Sequence, residues 1–578
     1  MGRSGVHLDK LGTKCKHCAN EQFFERTASN RMNSPASAMH RSGDEDSPLR
    51  VCIVGGGASG IISARQMLDE GFQPIVYEMS SSLGGLWAYR DHSEEGVPSI
   101  MRSTVFNTSK EMSAFSDFPP PKETPNYMQH AKVLEYIRSY ADHFGITSKI
   151  RLRHEVLRVT QAEDYDSTGR WDVVVKDLNG NVERRETFDA VLVASGHNGF
   201  PNVPTFKGME KFKGKIVHTH SLKDAEQFKD RRVVVVGIGN SGIDAAVDAS
   251  RVAAQVYLSS RGGVWMSKRL GPNGMPNDAA LSTRAMDLKK RLVPRWMSLE
   301  KPESRFNNFF SHEAYGLRPK DCVNSQRISM SDVLPSLILS GIVILKRNVV
   351  EFAEDGIVFE NDKEVTKLDA VILATGYKIQ FPMLSEDVMP AVDKQVPLYK
   401  HVFPPGLEHP TLAIIGLVMG DGSPLPLIEL QARWAAQLLA GKCKLPPHHE
   451  MYQDIARQRA ALWLRFGNSF DTTIYVDWME YMDDLADKMG ASPRMLKYFF
   501  TDHKLFRALL GPCVPYQFRL EGPHSWTGAR DAILGSQMRV HYPLNRNCTS
   551  FQTEKRGASM FYILLSVIVL FIAFFVYN

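Results

Sequence analysis

The chain has 578 residues, and at roughly 150 residues per domain this length predicts several domains. Hydrophobic residues make up 43% of it and charged residues 23%, proportions that exclude fibrous and wholly disordered proteins. A net charge of +5, from 69 basic and 64 acidic residues, is too small to indicate nucleic-acid binding. Seven scattered cysteines argue against a disulfide-built secreted protein and favour a reducing compartment.

The N-terminal segment is rich in Ser, Arg, Asn and His and shows no hydrophobic period, so we expect residues 1–48 to be a disordered extension. The segment lacks the continuous apolar run of a secretory signal. Cys15 and Cys18 stand at zinc-ligand spacing, but no second pair follows at a suitable distance. Two solvated thiols are therefore the simpler interpretation, and no metal site is expected.

The first apolar strand-like run ends at Val54, and it is followed by a glycine turn, Gly55-Gly56-Gly57-Ala58-Ser59-Gly60, and a helix-like stretch. This is the order of a dinucleotide-binding fold. In that fold the first glycine permits a tight turn, the second lets the backbone approach a pyrophosphate, and the third allows close helix packing. A second strand ends in Glu78, where a carboxylate accepts hydrogen bonds from ribose hydroxyls.

The same arrangement recurs after residues 232–236, with Gly237, Gly239 and Gly242 at the three glycine positions. Its second strand is followed by Ser259-Ser260-Arg261 instead of an acid. A carboxylate there would repel a 2′-phosphate, whereas an arginine and hydroxyls bind it. The first site is thus predicted for a dinucleotide with a free ribose and the second for NADPH. The alternative for Arg261 is a plain surface arginine.

A third repeat indicates that two such domains are interleaved. Residues 188–196 (FDAVLVASG) are nearly repeated as residues 368–376 (LDAVILATG), each an apolar run that ends in a glycine. Strands of this kind are expected at the carboxyl edge of a parallel sheet, although two ordinary buried strands remain the alternative. The predicted fold class is α/β, with two interleaved Rossmann-like dinucleotide-binding domains and a C-terminal transmembrane helix.

The C-terminal prediction rests on residues 557–578, which carry no charge and are almost wholly apolar. About twenty helical residues cover the ~30 Å hydrocarbon layer of a bilayer, so a single span is predicted. A buried C-terminal helix is the alternative, but it would show a polar face. Lys555 and Arg556 precede the span and would stay on the cytosolic side. We therefore expect a tail-anchored protein whose main body faces the cytosol.

Segments 84–87 (GGLW), 107–112 (NTSKEM), 212–218 (FKGKIVH) and 374–377 (ATGY) together resemble the flavin-containing monooxygenases of the microsomal, animal type. The resemblance runs from about residue 51 to the C-terminal span. The family pattern is F-x-G-x-x-x-H followed four residues later by an aromatic residue, and here Leu222 occupies that last position. His218 within the pattern is interpreted as a structural residue near the domain junction, without a chemical role.

The resemblance implies FAD and NADPH as cofactors, O2 as co-substrate, and soft nucleophilic amines or sulfides as substrates. It implies that NADPH reduces FAD, that O2 adds at the flavin C4a atom, and that the resulting hydroperoxide oxygenates the substrate. Asn107 matches the active-site asparagine of the family, whose amide both donates and accepts hydrogen bonds near the flavin. On local sequence alone, a turn cap is an equal interpretation of Asn107.

The same resemblance carries the cofactor contacts over to matching positions. On the FAD side it implies Gly55, Gly56, Gly57, Ala58, Ser59, Gly60, Glu78, Leu86, Trp87, Asn107 and Thr108. On the NADP side it implies Gly237, Gly239, Asn240, Ser241, Gly242, Ile243, Asp244, Ser260 and Arg261, of which residues 241–244 are expected to use backbone N–H groups.

The expected organisation is an extension (1–48), a first part of the FAD-binding domain (49–205), an NADPH-binding domain with an insertion (206–370), a second FAD part with a substrate- and membrane-facing region (371–556), and the anchor (557–578). Segments 262–327 and 463–506 are expected to shape access to the flavin. The resemblance implies the endoplasmic reticulum membrane, and a homo-oligomer stays open.

Four other functions are alternatives to this interpretation. A disulfide reductase needs a redox cysteine pair beside the flavin, and the only C-x-x-C lies in the N-terminal extension. A Baeyer–Villiger ketone oxygenase usually has a tryptophan where Leu222 stands. An uncoupled NADPH oxidase would release hydrogen peroxide without substrate. A flavin-bearing membrane scaffold would lack catalysis altogether.

Overall fold

The computed structural model describes residues 48–292, 302–319, 328–386, 388–389, 396–466 and 474–545. The predicted extension up to residue 47 and the predicted span over 557–578 lie outside the described residues, as does the Cys15–Cys18 pair. Among the helices within these ranges, none is both long and apolar enough to cross a bilayer.

The strands, numbered in chain order, are β1 (Arg50–Val54), β2 (Gln73–Glu78), β3 (Ile150–Leu152), β4 (His154–Gln161), β5 (Trp171–Asp177), β6 (Val182–Phe188), β7 (Ala190–Val193), β8 (Phe200–Pro201), β9 (Lys215–His218), β10 (Arg232–Val236), β11 (Gln255–Ser259), β12 (Trp265–Ser267), β13 (Ile328–Met330), β14 (Val343–Lys346), β15 (Val349–Ala353), β16 (Gly356–Phe359), β17 (Thr366–Lys367), β18 (Ala370–Leu373), β19 (Tyr377–Lys378), β20 (Leu412–Ile414), β21 (Met419–Gly420) and β22 (Tyr475–Val476).

The α-helices are α1 (Ala58–Asp69), α2 (His130–His143), α3 (Tyr165–Thr168), α4 (Asn240–Ala249), α5 (Asn277–Leu281), α6 (Arg284–Leu292), α7 (Pro302–Asn307), α8 (Leu334–Leu339), α9 (Pro424–Leu439), α10 (His448–Phe466), α11 (Trp478–Lys488), α12 (Met495–Thr501), α13 (His503–Leu509) and α14 (Ala529–His541).

Two five-stranded parallel sheets form the centre of the described structure. The first has the strand order β20-β7-β1-β2-β3 and the second β14-β11-β10-β18-β9. In each sheet the central strand precedes a glycine turn, and the repeated AVLV and AVIL strands, β7 and β18, pair with it. The central strands are buried almost throughout, as expected for parallel sheets covered on both faces.

The chain passes from the first sheet to the second and returns. It enters the second sheet after β7 and comes back through β20, which pairs with β7 in the first sheet. The antiparallel pair β8–β19 lies where the two crossings run side by side. A three-stranded antiparallel meander also precedes each repeated strand, β4-β5-β6 before β7 and β15-β16-β17 before β18. The interleaved α/β arrangement predicted from the repeats is therefore confirmed for these sheets.

Helix α9 ties the C-terminal part of the chain to the first sheet. Fifteen of its sixteen residues are buried, and it packs against α1 and α11. Its one buried acid, Glu429, receives a hydrogen bond from Ser116 N at 2.7 Å and pairs with Arg519 at 3.1 Å. A buried carboxylate is tolerated because an arginine and a backbone N–H compensate it. These contacts fix residues 515–519 beside the first sheet.

The F-x-G-x-x-x-H segment lies at the edge strand β9 of the second sheet. A Cβ on Gly214 would stand 2.6 Å from Asp369 O, which accounts for the glycine. Leu222, at the aromatic position of the pattern, is 1% exposed and packs in the core with Phe228 and Val235. His218 accepts a hydrogen bond from His220 N, and burial lowers the pKa of its imidazole to about 4. The imidazole is thus uncharged at neutral pH, and its structural role stays a prediction.

Candidate functional site

One cavity of about 4410 Å³ runs between the carboxyl ends of the two central strands. It is several times larger than the ~300–1,000 Å³ of a typical small-molecule pocket. Its wall includes both glycine turns, Asn107, the segment 275–287 and parts of α10, α11, α13 and α14. Ligands of open parallel sheets bind at this edge, so two long ligands side by side account for the size.

The first glycine turn connects β1 to α1. Gly55 adopts a φ of +108°, and a Cβ there would stand 2.7 Å from Ala194 O of β7's C-terminal extension. A Cβ on Gly60 would lie 1.8 Å from Gly55 O, because the helix packs directly on the turn. Gly57 is the N-cap of α1, and no side chain caps this helix. Its first N–H groups are therefore available to an anion.

The second glycine turn repeats this geometry between β10 and α4. Gly237 has a φ of +113°, and a Cβ there would stand 2.4 Å from Ala374 O. A Cβ on Gly242 would lie 2.0 Å from Gly237 O. Gly239 differs, since a Cβ on it would meet no atom within 4 Å. The space in front of Gly239 is thus open for a ligand, whereas the other two glycines are required by packing.

The registers of the two sheets make Glu78 and Ser260 equivalent. Val54 pairs with Tyr77, and Val236 pairs with Ser259, so Glu78 and Ser260 each follow the residue opposite the strand end. Glu78 is 7% exposed, and its two oxygens accept hydrogen bonds from Gly56 N at 2.6 Å and Ser80 N at 2.8 Å. An acid thus stands beside the first turn and a hydroxyl beside the second.

Arg261 follows Ser260 on the wall of the cavity and is exposed. Within the described ranges its guanidinium has no ion pair. Ser260 Oγ accepts a hydrogen bond from Gly263 N at 3.0 Å, which bends the chain directly after Arg261. An unpaired arginine beside a hydroxyl at this edge suits a phosphate.

Asn107 lies on the cavity wall and contacts the segment between β12 and β13, which is inserted into the chain of the second sheet and is called the inserted segment below. Its Oδ1 accepts a hydrogen bond from Arg269 Nη2 at 2.5 Å. Arg269 also lies 3.5 Å from Asp332, and its backbone N–H donates to the same carboxylate at 3.0 Å. The Asn107 amide oxygen is therefore held by a cation that is itself fixed, and the amide N–H2 is the group left to act on a ligand.

A second set of hydrogen bonds fastens the inserted segment beside Asn107. Ser109 donates to Asp278 Oδ2 from its backbone N at 2.6 Å and from its hydroxyl at 3.0 Å. Tyr127 donates to Arg269 O at 2.7 Å. Further along, Arg284 binds Asp483 with both terminal nitrogens, at 3.0 and 2.8 Å. The insertion thus covers the cavity and joins both sheets.

Two carboxyl groups on the cavity wall have raised pKa values. Burial raises the pKa of Asp244, on α4, to about 6, while nearby Arg269 opposes the shift and Asp248 adds to it. Burial also raises the pKa of Asp278, against its hydrogen bonds from Ser109. Perturbed carboxyl groups in a cleft are typical of functional sites.

Most of the site residues predicted from the sequence line this cavity. Those on its wall are Gly55, Gly57, Ala58, Ser59, Glu78, Leu86, Trp87, Asn107 and Thr108 from the first set, and Gly237, Gly239, Asn240, Ser241, Gly242, Asp244, Ser260 and Arg261 from the second. Gly56 and Gly60 lie behind the first turn, as packing glycines.

Ile243 is placed differently from its expected contact with NADP. Its N–H donates to Gly239 O at 2.9 Å, and its side chain is fully buried in the core. Neither group faces the cavity, so the expected use of its backbone N–H is not met in this structure. Asn240 also has a structural bond, since its Oδ1 accepts from Met330 N at 2.9 Å.

Sequence reasoning missed Arg269, Asp278 and Tyr127. No local pattern could identify them, because Arg269 is 162 positions from the Asn107 that it contacts. The expectation that segment 262–327 shapes access to the site was the nearest signal.

The residues present fit two dinucleotides. Both helices begin at uncapped glycines, and the open space at Gly239 leaves room for a pyrophosphate. Ser195 Oγ, on the wall beside the first turn, is buried and has no hydrogen-bond partner among the described residues. Such an orphaned hydroxyl is accounted for by a polar ligand. The described cysteines 52, 443 and 513 are free thiols.

Comparison with known proteins gives a consistent result. A family model described as flavin-binding monooxygenase-like matches residues 49–578. Flavin-containing monooxygenase 5 of Rattus norvegicus is 42% identical over 498 residues, which cover 86% of this chain and 93% of that protein. Dimethylaniline monooxygenase (N-oxide-forming) 2 of Oryctolagus cuniculus is 39% identical, with the same coverage of 86% and 93%.

Solved structures share the fold. S-allyl-L-cysteine S-oxygenase from Allium sativum superposes with a TM-score of 0.59 at 25% identity, covering 84% of this chain and 99% of that one. Cyclohexanone monooxygenase from Rhodococcus sp. Phi1, bound to NADP+, gives a TM-score of 0.55 at 16% identity, covering 76% and 97%. At that identity the second likeness concerns the fold alone.

Proposed function

Because this chain belongs to the flavin-binding monooxygenase-like family, and is thus an NADPH-dependent flavoprotein monooxygenase that uses FAD, we propose that it oxygenates soft nucleophilic nitrogen or sulfur atoms of small molecules. The observation that carries the proposal is the single cavity on which both glycine turns and Asn107 lie. The names of the relatives, an N-oxide-forming monooxygenase and an S-oxygenase, support heteroatoms as the target.

We assign FAD to the first turn and NADPH to the second. Glu78 suits a ribose with free hydroxyls, whereas Ser260 and Arg261 suit a 2′-phosphate. The corresponding domains are 49–205 with 371–556 for FAD and 206–370 for NADPH. Trp87 lies on the FAD side. Its ring packs edge-on against Phe106 with 4.8 Å between the ring centroids, and this contact would fix one wall of the flavin pocket.

Reduced FAD supplies the activation of O2, and the protein supplies positioning, donors and exclusion of water. Asn107 is the residue that we place at the reacting centre. Arg269 binds the Asn107 amide oxygen, so the N–H2 group would be the part of this side chain that donates to a bound cofactor or substrate. A neutral donor suits this task, since a fixed charge at the same atom would alter the basicity of the oxygen being transferred.

Exclusion of water depends on the inserted segment. Two contacts hold this segment across the cavity. The hydrogen bond from Ser109 to Asp278 fastens it on the FAD side, and the ion pair between Arg284 and Asp483 fastens it to the C-terminal helices. NADP held at the second glycine turn would occupy part of the same cavity and so help to exclude water. A shielded site keeps the transferable oxygen from being lost as hydrogen peroxide.

We also propose that residues 557–578 anchor the protein in the endoplasmic reticulum membrane with residues 49–556 in the cytosol. Support comes from the uncharged apolar segment and from Lys555 and Arg556 before it. The segment lies inside the stretch matched by the family model.

The proposal is tested with the purified, FAD-loaded full chain in detergent, NADPH and ¹⁸O2. Tertiary amines, sulfides and ketones are supplied separately, and products are identified by mass spectrometry while hydrogen peroxide is measured in parallel. One ¹⁸O atom in an N-oxide or sulfoxide, with little peroxide, is the expected result.

Two outcomes would replace the proposal. Labelled esters or lactones from ketones, without N- or S-oxides, would indicate ketone oxygenation of the Baeyer–Villiger type. Peroxide in stoichiometric yield with every substrate would indicate an NADPH oxidase.

A further inference from the structure

We propose that Arg347 is a second cation for the 2′-phosphate of NADPH, which it holds together with Arg261. The inference rests on the proposed assignment of NADPH to the second glycine turn. It concerns a residue outside every motif recognised in the sequence.

Arg261 and Arg347 both lie just beyond the carboxyl ends of neighbouring strands in the second sheet. Strands β11 and β14 are parallel neighbours, with Ser259 opposite Lys346 in register. Neighbouring strands lie roughly 5 Å apart, so the residues just beyond their ends emerge side by side. Arg261 comes two residues after Ser259, and Arg347 comes one residue after Lys346.

Hydrogen bonds across the strand ends fix this arrangement. Ser260 N donates to Lys346 O at 3.0 Å, and the Ser259 hydroxyl donates to Arg347 O at 2.7 Å. The backbone of Arg347 is therefore bound to the serine pair that precedes Arg261. Asn348, the next residue, already lies on the wall of the large cavity.

Of the two basic residues at this strand end, only Arg347 is available to a ligand. Lys346 pairs with Asp362 at 2.7 Å, and its ammonium lies over the rings of Tyr257 and Phe359. Arg347 is exposed and, in the part of the chain that the structure describes, forms no ion pair. Arg261 is followed by Gly262 and Gly263, so its own loop offers one cation.

A phosphate dianion gains from two guanidinium groups, because each planar fork donates to different oxygens. Each charge-assisted contact corresponds to roughly a tenfold or larger change in affinity. Arg261 alone would leave one side of the phosphate in water. Arg347 would complete the site from the adjacent strand.

The test uses the oxidised, FAD-loaded full chain and measures binding of 2′,5′-ADP and of 5′-AMP by calorimetry. The two probes differ only in the 2′-phosphate. Arg347→Ala is expected to weaken 2′,5′-ADP about tenfold and to leave 5′-AMP unchanged, with Arg347→Lys intermediate. Arg231→Ala, an exposed arginine at the opposite end of the same sheet, is the matched control and should match wild type.

Equal affinity of Arg347→Ala and wild type for 2′,5′-ADP would overturn the inference, and so would equal losses for both probes. Arg261→Ala separates this failure from failure of the underlying assignment. If Arg261→Ala binds 2′,5′-ADP more weakly than wild type and Arg347→Ala does not, only the role of Arg347 is wrong. If neither variant changes, the second turn is not the NADPH site.

Discussion

Gly239→Ala separates folding from binding at the second glycine turn. An added Cβ would meet no atom within 4 Å, and the backbone at φ −74° and ψ −179° accepts alanine. Lower entropy of the unfolded chain stabilises such a variant by about 0.4–1 kcal/mol, and the poorer N-cap costs a similar amount. We expect an unchanged midpoint of thermal unfolding. The methyl group would nevertheless stand where a pyrophosphate approaches, so NADP+ affinity should fall at least tenfold.

Gly242→Ala is the contrasting variant. Its Cβ would lie 2.0 Å from Gly237 O, a backbone atom, so the turn must move at a cost of about 2 kcal/mol or more. It should lower the unfolding midpoint by several degrees. Both variants are measured by thermal unfolding without ligand and by NADP+ calorimetry, with bound FAD determined by absorbance. Wild-type NADP+ affinity in Gly239→Ala would refute the placement of the pyrophosphate, and a lowered midpoint would refute the packing argument.

Three further outcomes are expected. Asn107→Ser should retain FAD and NADPH oxidation yet lose oxygenated product in favour of peroxide, because its amide donor is missing; wild-type product yield in a mass-spectrometric assay would remove Asn107 from the mechanism. Arg261→Ala should raise the KM for NADPH tenfold or more, and an unchanged preference for NADPH over NADH in steady-state assays would contradict the phosphate role. Deletion of residues from Ala558 onward should release much of the protein from membranes on a carbonate wash; full retention would require a second attachment.

The local parts of this site follow from the sequence. A strand, a glycine turn and a helix are adjacent in the chain, so Gly55, Gly60, Gly237 and Gly242 could be recognised from their spacing. The contrast between an acid and a serine at the two strand ends is local as well. The carbonyl oxygens of Ala194 and Ala374, which lie against Gly55 and Gly237, belong to the two similar segments that the sequence also shows.

Contacts formed by the tertiary fold could not be predicted in this way. Three hydrogen-bonded pairs join segments that are 90 to 169 positions apart in the chain: Arg269 with Asn107, Asp278 with Ser109, and Glu429 with Arg519. Ile243 shows the reverse case. The motif predicts a contact with the ligand, but the helix turns the apolar side chain of Ile243 into the core together with Ala246. Motif membership therefore identifies a turn, while helix periodicity decides which of its residues face the ligand.

Asp244 offers a test of the electrostatics at that helix. Its pKa of about 6 means that it is ionised at pH 8 and mostly neutral at pH 5. Four residues of helix separate it from the N-terminus of α4, so it stands roughly 10 Å from a pyrophosphate there. At an effective dielectric constant of ~20, the repulsion between two unit charges at that distance is about 1.7 kcal/mol, which corresponds to a roughly 15- to 20-fold change in affinity.

Asp244→Asn should accordingly bind NADP+ more tightly than wild type at pH 8 and equally at pH 5. The ratio of the two dissociation constants is the quantity to measure, because titration of the 2′-phosphate affects both proteins alike. Burial raises the pKa of this carboxyl from its ordinary value near 4 to about 6, so the folded state loses stability as pH rises from about 4 to about 6, where the unfolded chain has released the proton and the folded chain still holds it. The variant should therefore gain thermal stability over wild type as pH rises through that interval, and the gain should stay constant at higher pH. A ratio that stays constant from pH 5 to pH 8 would show that Asp244 does not face the cofactor's phosphates.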